Sequence, residues 1–294
     1  MKPQHVAVLV NPRAGGGRPA TVGRRVIDVL RSRGLFPQVL LGRSAAEAVD
    51  QVAAAVTAGI DTLVVCGGDG TIAAALQAVP GSGVTLGVVP CGNGNDLARS
   101  WGLPVSSPAR ALAVVLAGRR RTFDLARVGD RWFGAVLATG FDAKVNDRGN
   151  RMRWPCGRLR YDVAMLAELA AFRPLSYRLV LDGRPMELEA MLVAVGNGPS
   201  YGGGMRICPG ASLVDGLLDV TVLTAMSRAR LVRLFPSVYS GRHVRRPEVL
   251  TFRATSVTVE SPGLNGYADG ESVGPLPLVC TAVPEALRVF SPGG

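Results

Sequence analysis

The chain has 294 residues, of which 48% are hydrophobic, and carries 33 basic against 22 acidic side chains for a formal net charge of +11. That content is ample for one large or two ordinary buried cores, and the basic balance favours anionic partners such as nucleotides, nucleic acid or an anionic membrane face. Five scattered cysteines (Cys66, Cys91, Cys156, Cys208, Cys280) form no C-x-x-C pair, which argues against a disulfide frame or a zinc site and for a reducing compartment.

The first part alternates strand and helix. Residues 5–10 read as a buried strand that ends at Asn11-Pro12. Residues 19–33 read as a helix stopped by Gly34, and 37–41 as a strand. Ser44-Ala45-Ala46-Glu47 is a capping box opening a helix that stops at Gly59. The apolar run 62–66 reads as a buried parallel strand, followed by Gly67-Gly68-Asp69-Gly70-Thr71 and a helix beginning at Ile72. Residues 84–89 are another buried strand, and Ser107-Pro108 caps a helix ending at Gly118. This alternation predicts a three-layer α/β domain with a parallel sheet. Its ligand belongs beyond the carboxyl ends of the strands, where three glycine- or asparagine-rich loops fall.

Near residue 122 the texture changes. Runs 122–128 and 132–139 flank Gly129-Asp130, a hairpin signal. Further β-rich runs follow at 176–181, 186–195, 217–223, 249–253, 257–261 and 276–281, with helices expected at 159–172 and 227–239. The pattern predicts an antiparallel β-sandwich. The expected division is 1–122 for the nucleotide domain and 123–294 for the sandwich domain. No signal-peptide pattern opens the sequence, and the uncharged stretch 71–95 is broken by Pro80, Pro90 and glycines, so no membrane-crossing helix is expected.

The stretch 64–77 anchors the functional reading. A strand, a glycine turn and a helix N-terminus place backbone N–H groups and the positive end of a helix dipole at one point, which suits a phosphate chain. Asp69 beside an anion needs a cation between them, so it reads as a Mg²⁺ or water-mediated ligand. An ordinary strand-to-helix turn with an aspartate cap remains the alternative.

Gly67-Gly68-Asp69-Gly70-Thr71 resembles the signature loop of the diacylglycerol and sphingosine lipid kinases, whose domain is related to NAD kinases and phosphofructokinases. Asn11-Pro12 followed by Gly15-Gly16-Gly17 resembles the first nucleotide loop of that family. The run from Pro90-Cys91-Gly92-Asn93-Gly94-Asn95-Asp96 through Arg99 resembles its third loop. Gly140-Phe141-Asp142-Ala143, Asp215-Gly216-Leu217-Leu218-Asp219 and Asp269-Gly270-Glu271 follow in the family's order. The likeness covers nearly the whole chain and is nearest the bacterial diacylglycerol kinases, with an actinobacterial cast around 151–155 and 201–205.

The resemblance implies phosphoryl transfer from ATP to a lipid hydroxyl, with Mg²⁺. It implies a nucleotide site at Asn11, Pro12, Arg13, Ala14, Gly15, Gly67, Gly68, Asp69, Gly70, Thr71, Gly92, Asn93, Asn95 and Asp96. It makes Glu271 the general base, with an exposed glutamate after a hairpin turn as the plain alternative. It places Asp69 and Asp124 near the metal and water network. It also implies a structural Mg²⁺ held by Asp215 with the carbonyl oxygens of Ser212 and Leu217, against a simple Asp-Gly turn. The active site would lie in the cleft between the domains, and a final segment at about 284–294 would return to the first. Ala73 and Ala74 stand where the family usually carries Asn-Glu, and Asn93 where it carries Thr.

The acceptor is expected to be diacylglycerol, with a monoacylglycerol, sphingoid base or ceramide as alternatives. NAD kinase is disfavoured, since that family's acceptor motifs are not evident. Ala73-Ala74 supports a different class, a non-catalytic nucleotide- or nucleic-acid-binding relative. Between 148 and 160 there are five arginines and no acid, with Met152 and Trp154. Between 228 and 246 there are six arginines and no acid, with Phe235 and Tyr239. These point to an anionic membrane surface, with no specific nucleic acid expected and 151–160 the preferred contact; a solvated arginine-rich face and a nucleic-acid surface are the plain alternatives. The expected location is the cytoplasm, peripheral to the inner face of the plasma membrane. The sequence leaves open whether the chain pairs as a homodimer. His5 and His243 read as structural or surface residues, and no Ser-His-Asp set is plausible.

Overall fold

A computed structural model describes residues 5–12, 18–140 and 174–292. The helix expected at 159–172, the arginine patch at 148–160, Cys156 and residues 141–143 lie outside the described residues. The chain divides into two compact units. The first is Met1–Leu125 with Leu213–Asp215 and Val283–Gly294; the second is Ala126–Ser212 with Gly216–Ala282.

The first unit is built on parallel strands. β1 (Val6–Val10) lies between β2 (Gln38–Leu41) and β3 (Thr62–Gly67), and β3 pairs with β4 (Thr85–Pro90). β1, β3 and β4 are buried along their whole length, as continuous apolar runs covered on both faces must be. On one face Val6, Val8, Val10, Val64 and Cys66 pack with Val26, Ile27 and Leu30 of α1 (Arg18–Arg31) and Leu112 and Val115 of α5 (Pro108–Ala117). α2 (Ala45–Thr57) and α3 (Asp69–Leu76) also belong to this unit. Ser44 caps α2 by accepting from the Glu47 N–H at 3.2 Å, and the Glu47 carboxylate reaches back to the Arg43 N–H at 2.9 Å. Gly118 closes α5 in the left-handed region (φ 73°), which a side chain would oppose. The end of the chain joins this sheet, with Arg288 opposite Thr85 and Val289 opposite Leu86 in parallel register.

The second unit is an antiparallel sandwich-like body. β9 (Arg184–Gly196) is its spine. Its first half pairs with β8 (Leu175–Leu181). Its second half pairs with β7 (Val136–Gly140) on one side and β10 (Leu218–Thr224) on the other. β11 (Val249–Ala254), β12 (Ser256–Glu260), β13 (Asn265–Ala268) and β14 (Glu271–Pro275) complete it. The core gathers Leu137, Tyr177, Leu179, Val193, Val195, Val220 and Val257, the alternate residues of these strands.

β5 (Arg120–Val128) and β15 (Leu278–Phe290) each contribute residues to both units. The continuous strand expected at 132–139 is instead two, β6 (Arg131–Phe133) and β7. The break falls where the N–H groups of Gly134, Ala135 and Val136 all point at the Asp269 carboxylate. A side chain 133 or more residues away in sequence therefore overrides the local β pattern.

Candidate active site

In the first unit the register brings three loops to one edge. Val10 pairs with Cys66, and Gly67 with Pro90, so Asn11, Gly67 and Pro90 leave the sheet at one level. The Cys91 N–H extends the ladder by donating to Gly67 O at 2.9 Å. Two glycines then let the loops touch through their backbones. A Cβ on Gly68 would lie 3.0 Å from the Gly92 Cα, and one on Gly92 would lie 2.6 Å from the Gly68 Cα. A Cβ on Gly67 would strike the Thr71 side chain at 2.5 Å. Gly70, in the first turn of α3, is different, because among the described residues nothing lies within 4 Å of a Cβ built there. Its lack of a side chain serves no packing against them and leaves space beside a helix N-terminus, the kind of cradle a phosphate chain fills.

The carboxylates and amides of this edge have defined partners. Asp69 accepts from the Leu97 N–H at 3.0 Å, and the N–H groups of Asn95 and Asp96 face the same carboxylate. Asp69, the first residue of α3, thus closes the N-terminus of α4 (Asp96–Ser100). Burial pushes its pKa above the ordinary value, and the nearby charge of Asp96 adds to this, while the backbone N–H groups oppose it. Asn95 sits in the left-handed region (φ 55°), and both ends of its amide bond Gly92, at 3.1 and 2.9 Å. Asp96 is buried and takes the Arg99 guanidinium at 2.7 Å. Asn93 is exposed. Thr71 is buried, and Asn11 and Pro12 are half-buried at the end of β1. Arg13, Ala14 and Gly15 lie outside the described residues. Ala73 and Ala74 are buried, so α3 meets its neighbours there through methyl groups.

Asp124 lies in β5, buried, and accepts from the Glu285 N–H at 2.9 Å, while its own N–H donates to Leu213 O at 2.7 Å. It ties the loop at 213 and the returning end of the chain to the first unit. Ser212 and Leu217 are half-buried and Asp215 is exposed, all in the turns leading to β10. A single carboxylate with carbonyl oxygens and water is a donor set that suits Mg²⁺. Among the described residues no three His, Cys, Asp or Glu side chains gather as a metal cluster.

Glu271 opens β14 in the second unit and is exposed. It follows Asp269-Gly270, both with positive φ (50° and 85°), a two-residue hairpin turn joining β13 to β14. The sequence reading gave Asp269 no role of its own. Its two oxygens accept from Gly134 at 2.8 Å, Ala135 at 2.9 Å and Val136 at 3.3 Å. Asn197, fully buried, holds the same turn by donating to Gly134 O at 2.8 Å. The glutamate is thus carried on a hairpin clamped at its root. An Asp-Gly turn alone signals a hairpin, and only the fold shows what its aspartate grips. Replacing Asp269 with alanine leaves three N–H groups without their anionic acceptor, which should cost about 3 kcal/mol of stability. Urea unfolding of the full chain checks this, and a change below about 1 kcal/mol would show that the clamp is not structural.

Among the described residues, burial keeps the thiols protonated. Cys66, Cys91, Cys208 and Cys280 are free and buried, and burial raises Cys91 to about 11 and Cys208 and Cys280 to about 12.

Residues 5–128 match the family described as the diacylglycerol kinase catalytic domain, and residues 135–291 match the YegS C-terminal NAD kinase beta sandwich-like domain. The chain is 48% identical to a diacylglycerol kinase of Mycobacterium tuberculosis over 98% of its own length and 95% of that protein. It belongs to the diacylglycerol kinase family of lipid kinases. A probable lipid kinase, YegS-like, from Xanthomonas euvesicatoria is 30% identical over 100% of this chain and 98% of its own. A crystal structure of a diacylglycerol kinase from Bacillus anthracis shares the fold, with a TM-score of 0.75 at 20% identity, covering 99% and 98% of the two chains. An NAD kinase from Archaeoglobus fulgidus in complex with ATP shares it more distantly, at TM-score 0.55 and 13% identity. Among the described residues no helix is long and apolar enough to cross a membrane.

Proposed function

We propose that this kinase transfers the γ-phosphoryl group of ATP to diacylglycerol, making phosphatidic acid at an anionic membrane surface. The observation that carries the choice of acceptor is the 48% identity, across nearly the whole chain, to the mycobacterial diacylglycerol kinase. The loop edge of the first unit supports the nucleotide side. Gly70 and the exposed Asn93 face open space there, while Asp69, Asn95 and the Gly68–Gly92 contact hold the loops in shape. Asn11, Pro12, Gly67 and Thr71 complete this edge, and Arg13, Ala14 and Gly15 extend it in sequence. Asp69, Asp96 and Asp124 are the carboxylates that would face a nucleotide-bound Mg²⁺ or its waters. Such an ion neutralises charge that develops on the transferring phosphoryl group.

Glu271 is the proposed base. A primary alcohol is a very weak acid, so the carboxylate first orients the hydroxyl by accepting its hydrogen bond. The proton moves to Glu271 late, as the new P–O bond forms and the bond to the ADP oxygen breaks. Asp215, with the Ser212 and Leu217 carbonyl oxygens, is the proposed seat of a structural Mg²⁺.

The test offers diacylglycerol, monoacylglycerol, ceramide, a sphingoid base and NAD in mixed micelles to the full chain with labelled ATP and Mg²⁺. The expected product is labelled phosphatidic acid, formed at least tenfold faster than any other product, a margin of about 1.4 kcal/mol. A faster product from another acceptor would move the specificity. Transfer to none would favour the non-catalytic reading that Ala73-Ala74 raises.

A further inference from the structure

The second unit carries a helical segment whose exposed side combines apolar and arginine side chains. α6 (Arg228–Leu234) and α7 (Pro236–Tyr239) are joined by Phe235, itself helical at φ −51° and ψ −46°. Pro236 takes the first position of α7, where its missing N–H costs little. The path from 228 to 239 is therefore nearly one amphipathic helix. Leu231, Leu234 and Val238, spaced three and four apart, form its buried ridge. The segment is anchored at its far end by His243, fully buried, whose Nε2 lies 3.0 Å from Ile207 O, and by the Arg206 N–H, which donates to Val238 O at 3.1 Å.

A second ridge lies about a quarter-turn away. Arg228, Val232, Phe235 and Tyr239 are spaced four, three and four, so they share one line along the helix. Val232 is 51% exposed, Tyr239 is 41% exposed, and the Phe235 and Tyr239 rings meet edge-on at 6.0 Å. Leu231, Leu234 and Val238 pack the helix on its buried side, while among the described residues Val232 and Tyr239 stay exposed and Phe235 is half-buried. The same stretch, 228 to 246, carries six arginines and no acidic residue. Among the described residues only Arg230 of the six reaches a carboxylate, that of Glu248. Arg228, Arg233, Arg242, Arg245 and Arg246 are exposed.

We infer that this ridge and its arginines form the docking surface of the kinase for an anionic lipid bilayer. The chemistry selects that occupant. Exposed guanidinium groups gather anionic headgroups, and an aromatic pair with an aliphatic neighbour fits the interfacial layer just below them. A nucleic acid would use the arginines but leave Val232 without a partner. The inference rests on the lipid-kinase reading for its purpose, since a kinase with a membrane-dissolved acceptor must reach the bilayer. The docking itself is measured without any reaction.

The experiment is co-sedimentation of the full chain with vesicles of phosphatidylcholine alone or mixed with phosphatidylglycerol, without ATP. Wild type should bind the mixed vesicles, more weakly as salt rises, and bind the neutral ones poorly. Arg228→Glu with Arg233→Glu should weaken binding about thirtyfold or more, from two lost headgroup attractions. Val232→Ser with Tyr239→Ser should weaken it about tenfold by removing the inserted groups. All four positions are exposed, so both variants should keep the wild-type melting temperature. Both should phosphorylate a short-chain diacylglycerol dispersed as monomers at the wild-type rate and lose rate only on vesicle-borne substrate. Wild-type co-sedimentation by both variants would overturn the inference. So would arginine-variant loss of duplex DNA binding with vesicle binding unchanged. A chain that docks through this ridge yet phosphorylates no lipid would sink the proposed reaction and leave the docking surface standing.

Discussion

Replacing Glu271 with glutamine is expected to slow phosphoryl transfer from ATP to diacylglycerol by roughly a thousandfold, within the range for loss of a positioned general base. Glutamine keeps the shape and can still accept a hydrogen bond from the acceptor hydroxyl. It cannot take the proton, so the loss should appear in kcat with little change in KM for either substrate. The fold should not notice. Glu271 is exposed, its hairpin is held by Asp269 rather than by itself, and surface changes of this kind usually fall within about 0.5 kcal/mol. The measurement is the initial rate in mixed micelles beside a thermal melt. Turnover within tenfold of wild type would remove Glu271 from the chemistry and leave it the plain hairpin glutamate of the alternative reading.

The neighbouring carboxylate makes the contrast useful. Asp269→Ala should lower stability and, by loosening the hairpin, lower activity with it. Glu271→Gln should lower activity alone. The two residues stand two apart in sequence, and only the structure separates the clamp from the group it carries. In sequence both read as one Asp-Gly-Glu turn, because the partner N–H groups at 134–136 come from more than a hundred residues away.

Much of the first unit was legible for a physical reason. Parallel strands buried on both faces leave continuous apolar runs, and their helices are bounded by Ser44, Ser107, Gly59 and Gly118, so local chemistry marks the boundaries. The loop positions followed from alternation alone. What local chemistry could not reveal was which glycines serve the protein and which leave room. Gly68 and Gly92 are required by each other, and Gly67 by Thr71, while Gly70 faces open space. In the sequence all four are simply glycines in phosphate-like loops. Asn95 is a similar case. Both ends of its amide bond Gly92, a loop-holding task that a place in a nucleotide-like motif does not reveal. The break between β6 and β7 escaped because it is imposed by a distant carboxylate, and the ridge at 228–239 needed the buried side to be known before the exposed one had meaning.

Asp69 poses the sharpest choice between structure and chemistry, and two substitutions resolve it. Its carboxylate accepts from Leu97 and faces two further N–H groups at the start of α4, which alone would explain an aspartate there. Yet burial raises its pKa, so the fold disfavours a charge at this position. A carboxylate with a raised folded pKa costs stability above its unfolded pKa, and that cost fades as the pH falls through the folded value. A residue kept only as a cap would be better served by a neutral acceptor. Asp69→Asn is therefore expected to leave stability within about 1 kcal/mol of wild type at neutral pH, with Leu97 still capped. Its kinase activity should nevertheless fall a hundredfold or more, since the charge proposed to face the nucleotide and its cation is gone, an effect of about 3 kcal/mol on the barrier. Asp69→Ala should lose both, because the α4 N–H groups are then orphaned. Thermal melts and initial rates on the two variants are the measurement. An Asp69→Asn enzyme with near wild-type turnover would reduce Asp69 to a helix cap. A hundredfold loss at unchanged stability would show that the cap is the lesser of its two tasks, and that the buried charge is retained for the nucleotide.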